Sequence, residues 1–134
     1  MVSFLDTDFG GKFTAIRDLH IKNVEGYILL YSVTSLRMFN VVVEMKEHIL
    51  RVKDSDDVPI VLVGTVRKER KKPRQVTVEQ GQEMARQLEC QFFEVDLDDG
   101  DQVEAIFKAL LPLIFTWRKQ EKKKNKKDRD CVVM

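Results

Sequence analysis

Val58-Pro59-Ile60-Val61-Leu62-Val63-Gly64 is apolar from end to end. A strand with one wet face alternates apolar and polar residues, whereas one that does not alternate suits a parallel sheet covered by helices on both faces. Working outward, Gly26-Tyr27-Ile28-Leu29-Leu30-Tyr31-Ser32-Val33-Thr34 and the shorter Cys90-Gln91-Phe92-Phe93-Glu94-Val95 have the same character. Between these runs the period changes: Met38, Val42, Met45, Ile49 and Val52 recur at helical spacings of four and three. Thr77 and Gln80 form a capping box, in which two side chains satisfy orphan backbone N–H groups, ahead of Met84, Ala85 and Leu88. Asp101 is expected to open a third helix carrying Val103, Phe107, Leu110 and Ile114. Pro112 within it removes a donor and crowds the preceding turn, so a bend is expected between Lys108 and Leu111. Strand alternating with helix predicts an α/β fold, a right-handed parallel sheet with helices on both sides. Ligands in such folds lie at the carboxyl ends of the strands, which makes the loops after Asp6, Val33, Val63 and Val95 the informative ones.

With 134 residues, 43% of them hydrophobic, the chain can bury the core of one modest domain. Its two cysteines, Cys90 in an apolar run and Cys131 near the end, imply no disulfide framework and fit a reducing cytosol. No stretch approaches the apolar length of a membrane span, and the N-terminus lacks the layout of a signal peptide. Charge is unevenly spread. Arg118 to Asp130 holds eight basic and three acidic residues, +5 against +1 for the whole chain, which leaves −4 for everything before it. A mildly acidic body with a basic tail argues against nucleic acid as a partner and for a membrane surface.

The last four residues, Cys131-Val132-Val133-Met134, form a C-a-a-X box: a thiol to alkylate, two aliphatic residues, and a final Met that favours farnesyl. The expected partners are a prenyltransferase and the anionic inner leaflet. One lipid anchors weakly, and Lys122, Lys123, Lys124, Lys126, Lys127 and Arg129 supply the second signal, at roughly 1 kcal/mol per charge near anionic lipid. The division expected is a domain over residues 1–117 and a polybasic tail over 118–134. Its expected location is the cytoplasmic face of the plasma membrane or another cellular membrane, held by lipid.

Leu5-Asp6-Thr7, Phe13-Thr14-Ala15-Ile16-Arg17-Asp18, Ile49-Leu50-Arg51-Val52-Lys53-Asp54, Val61-Leu62-Val63-Gly64, Gln80-Gly81-Gln82 and the C-a-a-X box follow one another in an order and spacing that resembles the Ras superfamily of small GTPases, within it the Ras, Rap and Ral branch. The resemblance implies a three-layer Ras-like sheet of the P-loop NTPase type, with GTP or GDP and Mg²⁺ as cofactors if the family activity survives. It sets the family's first strand, phosphate-binding loop, first switch and second strand ahead of Val2, so the sheet is expected to lack its first two strands and that loop. A repaired sheet, in which the strand ending at Asp6 pairs directly with the run from Gly26, is one outcome; a gap is the other.

Within the chain no stretch supplies G-x-x-x-x-G-K-[ST], the loop whose backbone N–H groups cradle phosphates: Gly11-Lys12 is followed by Phe13, and Asp6 stands at the first Gly position. Asp6-Thr7 matches the family's magnesium-side motif, but Phe9 replaces its hinge glycine and Gly10 the glutamine that orients water. A phenylalanine cannot give the close backbone approach that a glycine allows. The family's guanine-reading Asn-Lys-x-Asp is replaced by Thr65-Val66-Arg67-Lys68, which puts a cation where a carboxylate should accept guanine N–H groups. Its second guanine loop, Ser-Ala-Lys, is replaced by Asp96-Leu97-Asp98. No catalytic residue and no bound nucleotide are therefore expected.

A second basic run, Arg67, Lys68, Arg70, Lys71, Lys72 and Arg74, is either a solvated loop or a lipid or phosphate contact. Asp96, Asp98, Asp99 and Asp101 do not fit a calcium loop and are assigned to capping the next helix. His20 and His48 have no partner spacing for a metal or a catalytic pair. Trp117 is either core edge or lipid anchor. Three functions remain distinguishable: a prenylated Ras-like signalling protein that has lost GTP binding and hydrolysis and acts through effectors or regulators of the family; an active GTPase switch; and a non-functional truncated copy.

Overall fold

The computed structural model describes residues 24–54, 57–67 and 72–132, with side chains described as far as residue 120. The elements are β1 (Tyr27–Ser32), α1 (Leu36–Lys53), β2 (Ile60–Val66), α2 (Val78–Gln87), β3 (Gln91–Asp96) and α3 (Gly100–Val132). The three strands form one sheet in the order β1-β2-β3, parallel throughout, with Tyr27 opposite Ile60 and Val61 opposite Gln91. The α/β class and the alternation expected from the period changes are observed. The expected strand ending at Asp6 lies outside the described residues, as do Thr7, Gly10 and His20.

β2 is central and hydrogen-bonded on both edges, which explains its unbroken apolar run: Ile60, Val61, Leu62 and Val63 are all buried. One face packs against α1 and α2 through Leu29, Tyr31, Phe39, Val42, Ile49, Leu62, Val76 and Ala85. The other packs against α3 through Val61, Val63, Val95, Ile106, Leu110 and Ile114. Each large aliphatic side chain so buried contributes about 1.5–3 kcal/mol. β1 differs from expectation. It alternates, with Leu30 38% exposed, because α3 crosses β2 and β3 and leaves that part of β1 uncovered among the described residues.

Ser35 caps α1, its Oγ accepting from the Met38 N–H at 3.2 Å, and Asp54 ends it in the left-handed region at φ 49°. The apolar stripe of α1 keeps the expected Val42 and Ile49 in the core and Met45 and Val52 packed against it, but at its start Phe39 is buried and Met38 is 47% exposed. The expected capping box of α2 is present, with Gln80 N–H on Thr77 Oγ1 at 3.1 Å and Thr77 N–H on Gln80 Oε1 at 2.8 Å. α3 starts one residue before Asp101 and is assigned as helix without interruption through Pro112. Its backbone stays helical across the expected tail boundary, and no helix of the described residues is long and apolar enough to cross a membrane.

Glu25 and Arg118 form a bidentate ion pair, Nη2 to Oε1 at 2.9 Å, that fastens α3 to the entrance of β1. That hydrogen bonding holds the Glu25 carboxyl below the ordinary carboxylate range. Trp117, half-buried beside it, lies under the Lys53 ammonium at 5.0 Å, a core-edge position.

Tyr31 is 0% exposed, and its hydroxyl finds no hydrogen-bond partner among the described residues. Its ring occupies space left by two glycines: a Cβ on Gly64 would come 2.8 Å from the Tyr31 oxygen, and one on Gly81 2.5 Å from it. A buried donor without a partner costs about 1–3 kcal/mol. Tyr31→Phe is therefore expected to stabilise the fold by about 1 kcal/mol, raising the melting temperature by several degrees. A thermal melt that fell would refute this account of the hydroxyl.

Burial first, and the neighbouring Glu94 carboxylate second, push the Tyr31 phenol from 10.0 up to about 12. Below pH 10 the phenol is neutral folded and unfolded; between 10 and about 12 only the unfolded chain ionises, which favours unfolding; above that both ionise. Stability should fall as pH rises through that window, by less in Tyr31→Phe. Denaturant titrations at pH 9, 10, 11 and 12 measure the difference.

Candidate functional site

The parallel strands all end at one pole, and a cleft of about 300 Å³ opens there. Its lining comes from the ends of all three: Ser32 and Thr34 from β1 and its loop, Thr65 and Arg67 from the end of β2, Leu97 just after β3, and Lys72 from the segment leading to α2. Main-chain bonds hold these ends together. Val33 N–H donates to the Thr65 carbonyl at 3.1 Å, and the Val33 carbonyl accepts from Gln75 and Val76 N–H at 2.8 and 3.0 Å. Gln75 Oε1 in turn accepts from Leu36 N–H at 2.8 Å, tying the segment before α2 to the first turn of α1.

Ser32 Oγ and Thr34 Oγ1 share one hydrogen bond of 2.8 Å, and Thr65 Oγ1 donates to the Tyr31 carbonyl at 3.3 Å. Arg67 and Lys72 are exposed, and neither is paired with a carboxylate among the described residues. Arg74 is different. It turns away from the basic run to make a two-pronged pair with Glu94 of β3, at 2.5 and 3.0 Å, and it donates to the Val76 carbonyl at 3.0 Å. The run thus divides into a structural cation and two that face the cleft, while Lys68, Arg70 and Lys71 lie outside the described residues.

In the acidic loop after β3, the Asp96 and Asp99 carboxylates bond to the loop's own backbone. Asp96 Oδ1 accepts from Asp98 N–H at 2.9 Å, and Asp99 Oδ1 caps α3 by accepting from Asp101 and Gln102 N–H at 3.0 and 3.4 Å. Gln102 reaches back to the Asp96 N–H at 2.7 Å. Of the expected guanine-loop residues, Thr65 and Leu97 therefore reach the cleft, whereas Asp96 and Asp98 shape the turn beside it. No group of three His, Cys, Asp or Glu among the described residues is arranged to hold a metal ion.

A larger cleft, about 400 Å³, lies at the opposite pole between α2 and α3, where Cys90, Arg86, Leu113 and Trp117 meet. Burial raises the Cys90 thiol above its ordinary value, which keeps it a packing residue rather than a nucleophile. The carboxyl-end cleft is the one that parallel α/β sheets use.

Cys131 falls in the last described turn of α3, but its side chain and those of Lys122, Lys123, Lys124, Lys126, Lys127 and Arg129 are outside the description. Ser32, Thr34 and Lys72 were not singled out from sequence as one site; only the parallel register, which sets Ser32 opposite Thr65, brings them together.

Guanine presents N–H groups that need acceptors, and the family reads them with a carboxylate. No carboxylate is among the described residues that line this cleft, whose walls are hydroxyls, two cations and one leucine. The shape nonetheless matches the ancestry, and the model of the Ras family matches residues 1–116. The chain belongs to the Ras family, with a Ras-like small GTPase domain.

Proposed function

We propose that this chain is a Ras-like protein that has lost GTP binding and hydrolysis, is farnesylated at Cys131, and works in signal transduction through protein contacts at the cytoplasmic face of a membrane. The observation that carries the first part is the lining of the carboxyl-end cleft, where Thr65 and Arg67 stand in the guanine-reading segment and no carboxylate is among the described lining residues. Phe9 and Gly10 at the hinge and water-positioning positions support the same conclusion for hydrolysis. Effectors or regulators that recognise the family's shape are the partners this leaves.

Nucleotide-free protein titrated with fluorescent GDP, with and without Mg²⁺, should give no submicromolar Mg²⁺-dependent binding while still melting cooperatively. Tight Mg²⁺-dependent binding would restore an active switch; no binding and no cooperative melt would point to a non-functional copy.

The anchoring part rests on the C-a-a-X box and on the six basic residues ahead of it, since one lipid and one polybasic patch together make the stable anchor that neither makes alone. Cys131→Ser should move the protein from the membrane fraction to the soluble one. Reversing the lysine charges from Lys122 to Lys127 should weaken attachment and leave lipidation intact, read by fractionation together with a mass shift of the C-terminal peptide. A Cys131→Ser protein that still pelleted with membranes would end the lipid proposal.

A further inference from the structure

We propose that the cleft at the carboxyl ends of the strands binds a phosphate monoester through Arg67 and Lys72, with the Ser32, Thr34 and Thr65 hydroxyls completing the shell. The charge comes first. Two cations converge on one concavity, and neither is neutralised by a carboxylate among the described residues. The third cation of the neighbouring segment, Arg74, is bound to Glu94 and does not compete. No acidic side chain is among the described lining residues, and on the adjoining loop Asp96 and Asp99 each turn a carboxylate oxygen to backbone N–H groups.

The hydroxyls add direction. Ser32 and Thr34 spend one hydrogen on each other, so the pair retains one to donate. Thr65 holds its carbonyl partner at 3.3 Å, a long bond that a charged acceptor readily replaces. Donors outnumbering acceptors in this way match a dianion with three terminal oxygens better than a carboxylate with two. Size sets the rest. At about 300 Å³ the cleft is at the small end of ligand sites, and its one apolar wall, Leu97, offers no flat surface for a base. A phosphorylated sugar or a phosphorylated headgroup fits; the recognised part of both is the monoester.

The inference rests on the residues of the cleft, and it can fail independently of the loss of GTP binding, because its probes carry no guanine and need no Mg²⁺. Unprenylated full-length protein is titrated calorimetrically with ribose 5-phosphate, with inorganic phosphate and with guanosine. Ribose 5-phosphate and phosphate should bind and guanosine should not. Arg67→Gln and Lys72→Gln, both at exposed positions, should each weaken the phosphates about tenfold or more without lowering the melting temperature. Binding should also weaken as salt is raised. Pelleting with phosphatidylcholine vesicles, plain or carrying phosphatidylinositol 4-phosphate, then separates the sources. A difference between wild type and the two variants on the phosphorylated vesicles indicates a headgroup, and a difference confined to the soluble sugar indicates a free metabolite. No binding of either phosphate at millimolar concentration, equal binding by the variants, or binding of guanosine would each overturn the proposal.

Discussion

The Tyr31 ring is the constraint around which one whole side of the sheet is arranged. A six-membered ring with a polar tip is fully buried here between a sheet and a helix because the backbones it lies against carry no side chain in its way, and Gly64 on β2 and Gly81 on α2 provide that space from both sides. The ring also lies 4.9 Å from Phe39, so the first helix is positioned by the same residue. Strand, central strand and two helices thus share one contact. The cleft is tied to it as well, since the Tyr31 carbonyl accepts from Thr65 Oγ1 and the following Ser32 lines its β1 edge.

Element types and their order were legible because periodicity changes between covered strands and amphipathic helices. Which residue faced inward was less so. Met38 and Phe39 are adjacent and both apolar, and only the rotation of α1 against the sheet buries one and exposes the other. Leu30 looked like its neighbours in β1, yet its exposure is decided by where α3 crosses, a tertiary fact with no local signal. The site divided the same way. Thr65 and Leu97 were found because the family's guanine loops mark them, whereas Lys72 joins the cleft by chain path alone. The charge run from Arg67 to Arg74 looked uniform, and only the pairing of Arg74 with Glu94 sorts structure from recognition.

Altered motifs at the cleft and retention of the family's fold are compatible here for a physical reason. Among the residues that depart from the family's pattern, Thr65, Val66 and Asp96 close their strands at half-buried positions, and Arg67, Leu97 and Asp98 follow them at exposed ones, where substitutions cost little packing. The apolar interior of β2 and the capping box of α2 lie elsewhere and are intact. An inherited scaffold can therefore keep its core while its binding surface changes charge.

The course of α3 has a geometric consequence. It begins beside the cleft at Asp99 and runs back along the sheet, so that Ile114 meets Gly26 and Arg118 meets Glu25 at the opposite end of the strands. From Arg118 the helical backbone continues to Val132, about 20 Å further at 1.5 Å per residue. Whatever engages the far end of that rod does so beyond the pole opposite the cleft, about two helical turns or more from the folded body.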